Sequence, residues 1–296
     1  MDLSGSFVAL VTPFEGGKVD EAALKRMVEF HAAGGTAGLV PCGTTGESAT
    51  LSHEEHERVI GTVIQANRGR MKVVAGTGSN NTAEAVRLTA WAAKAGADAA
   101  LLIAPYYNKP TQEGLFRHFK AVSEAVDLPL VPYSIQSRTG VNIEAETVAR
   151  LAGLRNVVAI KEASGNLEQM ARIYHLTGGK LALLSGDDGL TLPLLAIGGR
   201  GVISVAANVA PRDTASLVSE FLAGRVDKAR EIHYRMLPLV KALFLETNPI
   251  PVKTAMALMG MLKAEFRLPL CEMSAGNLEK LKKEMEAYGL VKEKAA

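Results

Sequence analysis

Short apolar runs alternate with amphipathic helical patterns eight times along the first three-quarters of the chain, and this alternation limits the fold more than any other feature. The runs occupy residues 7–11, 38–41, 72–75, 99–103, 130–133, 157–160, 181–184 and 201–204. They are apolar at consecutive rather than alternate positions. That pattern marks strands covered on both faces, as in a parallel sheet whose crossovers are helices. Between the runs lie helix signals. Asp20 can cap a pattern whose apolar face is Leu24, Met27 and Val28, and Ser52 with Glu55 reads as a capping box ahead of Val59, Ile60, Val63 and Ile64. Further helices are predicted from about Thr82, Gln112, Glu144 and Leu167, then an apolar one through Leu195 and one over residues 214–222. Eight such units in about 225 residues match a (β/α)8 TIM barrel of the α/β class. A doubly wound open sheet is the alternative, weakened because no Gly-rich dinucleotide fingerprint follows the first run. Beyond Val226 only helical patterns remain, at 230–244, 252–261 and 274–288. The expected organisation is a barrel over residues 1–225 and a C-terminal helical extension over 226–296, packed on the barrel or carrying oligomer contacts.

Charge and cysteine usage narrow the possible partners. Lys plus Arg number 33 against 31 Asp plus Glu, a net charge of +2. No long basic run or basic–aromatic interleaving occurs, so no nucleic-acid partner is expected. Lys292 and Lys294 around Glu293 read as a solvated tail. The longest apolar stretch, 190–210, is interrupted by Gly198, Gly199, Arg200 and Gly201, so no membrane span is expected. The first residues lack a basic n-region and an apolar h-region, and a cytoplasmic location is the expectation. Cys42 and Cys271 have no paired spacing, which argues against a disulfide framework or a zinc site. His53 and His56 are three apart rather than the four of a zinc-protease helix, and no metal is expected.

In a barrel of this kind the chemistry collects at the carboxyl ends of the strands. Those ends carry Thr44, Thr45, Tyr107, Tyr133, Arg138, Lys161 and Gly186. The sixth run leads directly into Lys161. An ammonium between dry walls loses pKa and becomes an amine able to attack a ketone; the competing reading is an exposed lysine just past the strand. Thr44 and Thr45, in a turn with exposed amides, can hold a carboxylate. Tyr133 can carry protons if a neighbour tunes its pKa, and Arg138 offers a bidentate fork to an acidic electrophile. The plainer alternatives are a simple turn, a rim tyrosine and an arginine paired to a structural carboxylate. Asp187 and Asp188 put negative charge where phosphate-binding barrels present amides, so a carboxylate substrate is expected rather than a phosphorylated one.

Five segments carry a family resemblance: Gly43-Thr44-Thr45-Gly46-Glu47, Pro105-Tyr106-Tyr107-Asn108-Lys109-Pro110, Ile160-Lys161-Glu162-Ala163, Leu184-Ser185-Gly186-Asp187-Asp188 and Glu246-Thr247-Asn248-Pro249-Ile250-Pro251. Over nearly its whole length the chain resembles the dihydrodipicolinate synthase family of pyruvate-dependent class I aldolases, the wider group of N-acetylneuraminate lyase. The resemblance implies an imine between Lys161 and pyruvate, with Thr44 and Thr45 on the pyruvate carboxylate. It implies a proton relay of Tyr133, Thr44 and Tyr107, the last reaching in from a neighbouring subunit of a homotetramer built as a dimer of dimers. It places Arg138 on the carboxylate of L-aspartate 4-semialdehyde, with Gly186 and Ile203 supplying backbone groups. Aldol addition, cyclisation and release from Lys161 would follow, in the diaminopimelate and lysine route, with no cofactor beyond the covalent pyruvate imine.

The same resemblance implies a feedback site for L-lysine at Ser48, Ala49, His53, His56, Asn80, Glu84 and Tyr106. Glu84 suits an ammonium, and Asn80 with Tyr106 suits a carboxylate. Against this, residues 53–57 could be only a solvated first helical turn. The chain departs from the family at two places. Ser134 stands where an Asn is usual and Gln136 where a Pro is usual, removing an amide's reach and a fixed φ from the segment leading to Arg138. The competing functions are a sugar-acid aldolase, disfavoured by Arg138, and a catalytically idle barrel that binds keto acids.

Overall fold

In a computed structural model, which describes residues 1–291, the eight runs form parallel strands that close on themselves. They are β1 Gly5–Ala9, β2 Gly38–Val40, β3 Lys72–Gly76, β4 Ala99–Ile103, β5 Leu130–Ser134, β6 Ala159–Glu162, β7 Ala182–Ser185 and β8 Gly201–Ser204. Each pairs with the next, and β8 returns to β1 with Phe7 opposite Ile203. The helices that follow the strands are α1 Glu21–Ala33, α2 His53–Asn67, α3 Thr82–Ala95, α4 Gln112–Ala125, α5 Ala145–Leu151, α6 Leu167–Thr177, α7 Thr191–Ala196 and α8 Pro211–Leu222. The expected (β/α)8 barrel is the observed fold, and its caps are the expected ones. Asp20 accepts from the N–H of Ala23 at 2.9 Å, and Ser52 with Glu55 closes a capping box on α2.

Alternation along each strand divides the core in two. Phe7, Ala9, Val40, Val74, Leu101, Val131, Tyr133, Ala159, Leu184 and Ile203 fill the barrel interior. The intervening residues, such as Val8, Leu39, Val73, Leu102 and Ile160, pack outward against the helices. Gly38 is required here, because a Cβ on it would lie 2.3 Å from the Phe7 ring.

Three boundaries differ from expectation in ways that matter. β6 begins at Ala159 and runs through Glu162, while Val157 makes only an isolated bridge to Leu130. Lys161 therefore sits inside the strand rather than past its end. The chain also forms a small hairpin, Phe14–Glu15 against Lys18–Val19, and a single helical turn, Gln136–Thr139, neither of which the periodicity announces. The C-terminal helices are α9 Val226–Ala242, α10 Ile250–Leu258 and α11 Ala275–Tyr288. Leu239, Val252, Met256, Leu281 and Met285 from these helices share one buried cluster with Val8, Leu39 and Val63, so the extension packs on the barrel. No described helix is long and apolar enough to cross a membrane. Lys292, Glu293 and Lys294, read as a tail, lie outside the described residues.

Candidate active site

Ala159 points into the barrel, and two residues on along β6 Lys161 must point the same way. Its partner on β5 is Tyr133, also turned inward. Each is 5% exposed, and the lysine Nζ stands 4.1 Å from the centre of the tyrosine ring. Burial lowers the amine's pKa to about 7; the Asp188 carboxylate opposes the shift and the Arg138 guanidinium adds to it. Burial also pushes the Tyr133 phenol well above its usual range, with Arg138 pulling it back and Asp187 raising it further. Near neutrality the pair thus consists of an amine that is about half neutral beside a phenol that keeps its proton. The exposed-lysine reading is excluded by this burial. Gly186, at the end of β7, leaves the lysine its room: a Cβ there would meet Ala163 Cβ at 2.6 Å and Lys161 Cε at 3.0 Å.

The turn after β2 is tightly wound. Gly46 donates to Gly43 O and Glu47 to Thr44 O, each at 3.1 Å, and the Thr12 hydroxyl donates to Gly46 O at 2.7 Å. Cys42 and Glu47 both adopt left-handed φ, 56° and 53°. Thr45 is buried and its hydroxyl accepts from Asn248 Nδ2 at 2.9 Å, while Thr44 is partly exposed. Arg138 sits on the single turn Gln136–Thr139, where its Nη2 donates to Asn248 O at 3.1 Å. No carboxylate pairs with Arg138 among the described residues, so the reading of a structural ion pair is not met. Asn248 thereby touches both the threonine turn and the arginine.

Ser134 and its surroundings answer the departure noted above. Its hydroxyl accepts from Ile143 N and donates to Asn142 Oδ1, both at 3.1 Å. Asn142 Nδ2 donates to Gln169 Oε1 at 2.6 Å, and Gln169 Nε2 donates to the buried Glu162 Oε2 at 2.8 Å. Ser134 is thus tied through Asn142 and Gln169 to Glu162, on the strand of Lys161. Asp188 also proves structural: it is buried, and Oδ2 accepts from Val205 N at 2.9 Å and Ala206 N at 3.1 Å while Ser204 donates to Oδ1.

A cavity of about 470 Å³ opens over this region. Thr44, Tyr133, Arg138 and Asn248 line one part; Ser48, Ala49, His53, His56, Glu84 and Tyr106 line another. Thr45, Lys161, Gly186 and Ile203 are not part of that wall, and Ile203 is a fully buried interior side chain on β8. In the second part His53 Nε2 lies 3.3 Å from Glu84 Oε1, and the Ser79 hydroxyl donates to the other oxygen of Glu84. Asn80 Nδ2 donates to Tyr106 O at 3.1 Å. His56 is buried with Nε2 at 2.7 Å from Gly76 O, and burial lowers its pKa, so it acts as a neutral donor to the strand end. The turn 53–57 is therefore not simply a solvated one. Tyr107 stays apart: it is 88% exposed with a left-handed φ of 72°.

Sequence reasoning passed over Asn142, Gln169 and the role of Asn248. Their contacts span distant segments and leave no period; the only signal is Asn248's place in the segment Glu246-Thr247-Asn248-Pro249-Ile250-Pro251. Among the described residues no group of three or more His, Cys, Asp or Glu could hold a metal ion.

Residues 2–288 match the dihydrodipicolinate synthetase family. A 4-hydroxy-tetrahydrodipicolinate synthase of Syntrophus aciditrophicus (strain SB) is 59% identical over 287 residues, covering 97% of this chain and 99% of that one. The crystal structure of a dihydrodipicolinate synthase from Aquifex aeolicus superposes with a TM-score of 0.97 at 51% identity, over 99% of this chain and 100% of the other. One from Cyanidioschyzon merolae with lysine bound superposes with a TM-score of 0.95 at 44% identity, over 97% of this chain and 99% of the other.

Proposed function

The chain is an enzyme that belongs to the dihydrodipicolinate synthetase family, and we propose that it condenses pyruvate with L-aspartate 4-semialdehyde through an imine on Lys161. The product is 4-hydroxy-tetrahydrodipicolinate, on the route to diaminopimelate and lysine, made in the cytoplasm. The observation that carries this reading is the buried Lys161–Tyr133 pair, 4.1 Å from nitrogen to ring centre, with the amine's pKa near 7. The neutral amine attacks C2 of pyruvate. The Tyr133 phenol protonates the carbinolamine oxygen, water leaves, and the imine forms. Thr44 and Thr45 hold the carboxylate. Loss of a proton from C3 gives the enamine, which adds to the aldehyde carbon. Arg138, at the cavity and with no carboxylate partner among the described residues, binds the acid group of the semialdehyde. The amine of that substrate then attacks C2, closes the ring and displaces Lys161. Tyr107 of a neighbouring subunit completes the proton relay, and the assembly is a homotetramer built as a dimer of dimers. Gly186 and Ile203 contribute backbone groups. No cofactor takes part beyond the pyruvate imine. The division into a catalytic barrel, residues 1–225, and a helical extension from 226 onward goes with this reading.

The part of the cavity lined by Ser48, Ala49, His53, His56, Glu84 and Tyr106, with Asn80 behind it, takes L-lysine as a feedback inhibitor. Its ammonium replaces His53 beside Glu84, and Tyr106 places the site one residue from the relay tyrosine. The lysine bound in the Cyanidioschyzon merolae structure supports this.

Incubation with pyruvate and borohydride tests the reading. A mass increase on Lys161 is expected, absent in Lys161→Ala. No adduct in the wild type, or an equal adduct in the variant, would overturn it. Arg138→Ala should raise the KM for the aldehyde and leave pyruvate trapping intact.

A further inference from the structure

Lys253 on α10 has no exposed surface, and neither has the carboxylate it meets. Its Nζ lies 2.5 Å from Glu47 Oε1 and donates to Glu265 O at 2.7 Å. The rings of Phe14 and Phe266 flank it at 4.3 and 5.2 Å from their centres. Removing two charges from water is costly, and well-packed apolar side chains often hold a core as firmly as a buried ion pair does. Cohesion alone is therefore a weak reason for this pair.

Its location suggests a stronger one. Glu47 closes the turn that carries Thr44 and Thr45, in a left-handed conformation that an L-residue adopts at a cost. Its N–H donates to Thr44 O at 3.1 Å. The turn has little slack, since a Cβ on Gly46 would sit 3.0 Å from both Cys42 N and Leu10 O. The same C-terminal segment grips the turn a second time, where Asn248 Nδ2 donates to Thr45 Oγ1 at 2.9 Å. The run from Glu246 to Pro251 thus leads straight to Lys253, and the two contacts tie the turn to the C-terminal segment at the cavity's edge.

We propose that Lys253, acting through Glu47, is a positioning residue for the pyruvate carboxylate: the buried pair holds the turn so that the Thr44 and Thr45 donors converge on one acid group. The proposal rests on the pyruvate-imine reading of the site. Three variants test it, Glu47→Gln, Lys253→Met and the double variant, each read by borohydride trapping over a range of pyruvate, by steady-state kinetics and by Tm. Each variant is expected to raise the half-saturating pyruvate concentration about tenfold, the loss of one charge-assisted contact. The KM for the aldehyde should change by less than about threefold, because the acid group of that substrate is held by Arg138 and not by this turn. Lys253→Met should also lower Tm by taking away the buried partner of the Glu47 carboxylate. The double variant should recover Tm, having no buried charge, yet keep the weakened pyruvate binding. Should Lys253→Met fail to fold, Glu47→Gln and the double variant carry the test. A fall in Tm with pyruvate half-saturation unchanged, or a double variant that restores both, would overturn the proposal and leave a structural ion pair. If the wild type traps no pyruvate at all, the imine reading fails first and this role goes with it.

Discussion

On an open surface the amine of Lys161 would be protonated at neutral pH; inside the barrel, burial brings its pKa to about 7. About half of it is then neutral at pH 7, and each unit below that removes a factor of ten. The initial rate of pyruvate trapping at low pyruvate should therefore fall about tenfold per unit below pH 7 and flatten above about pH 8. A rate still rising steeply at pH 9 would mean an ordinary lysine. The same shift has a stability consequence. The folded pKa lies below the value of 10.5 for a free lysine, so between about 7 and 10.5 the unfolded chain holds a proton that the folded chain does not. Stability contributed by this residue therefore rises with pH across that window, and below pH 7 the buried charge is a full penalty. Lys161→Met should be more stable than the wild type at pH 6.5, by on the order of a few kcal/mol, with the difference shrinking towards pH 10. Denaturant unfolding at both pH values checks the sign. This residue was readable in advance because an apolar run ends in a lysine. Its depth was not, since the strand's true end depends on pairing with β5 and β7.

Strands and long helices left clear traces in the sequence because each follows a single local rule, an unbroken apolar run or a capped apolar stripe. The segment after β5 obeys no such rule, and here reading from sequence stops short. Ser134 and Gln136 look like losses when judged singly. In the fold, Ser134 staples the start of the segment to Ile143, and Asn142, Gln169 and Glu162 extend the web to α6 and back to the strand of Lys161. Gln136 opens the helical turn that presents Arg138. Ser134→Ala would leave the Ile143 N–H buried without its partner, at about 1–3 kcal/mol of stability. Because residues 135–143 carry Arg138, the variant should also raise the KM for the semialdehyde several-fold while pyruvate trapping stays at the wild-type level. Equal weakening towards both substrates would mean that the web supports the whole barrel mouth and not the arginine in particular. The hairpin at residues 14–19 escaped for a similar reason: Gly16 and Gly17 donate to Glu265, and Gly17 O accepts from Arg267, both far along the chain.

At the level of the whole molecule, Tyr107 is the residue least at home in a single chain. It is a large aromatic side chain 88% exposed, on a left-handed backbone that L-residues adopt at some cost, and it stands off the wall of its own cavity. Among the described residues Leu268, 82% exposed, is the other large apolar side chain left in the open to this degree. A two-fold dimer would bury such a residue against the partner and give each cavity the phenol of the other chain. If so, the two halves of the chemistry can be separated onto different subunits. Lys161→Ala and Tyr107→Phe chains, each weakly active alone, should regain activity once their subunits exchange. The Tyr107→Phe chain keeps its lysine and receives a wild-type Tyr107 from its partner. With random pairing half of the dimers are mixed and each holds one intact site, so recovery should approach about a quarter of the wild-type rate. Lys161→Ala mixed with Tyr133→Phe is the control. Lys161 and Tyr133 are strand neighbours within one chain, so no pairing of these two variants reunites them and activity should stay low. Recovery in both mixtures would point to reversion or contamination. Recovery in neither, with mixed dimers confirmed by native mass spectrometry, would return Tyr107 to its own chain and remove the reason for a shared site.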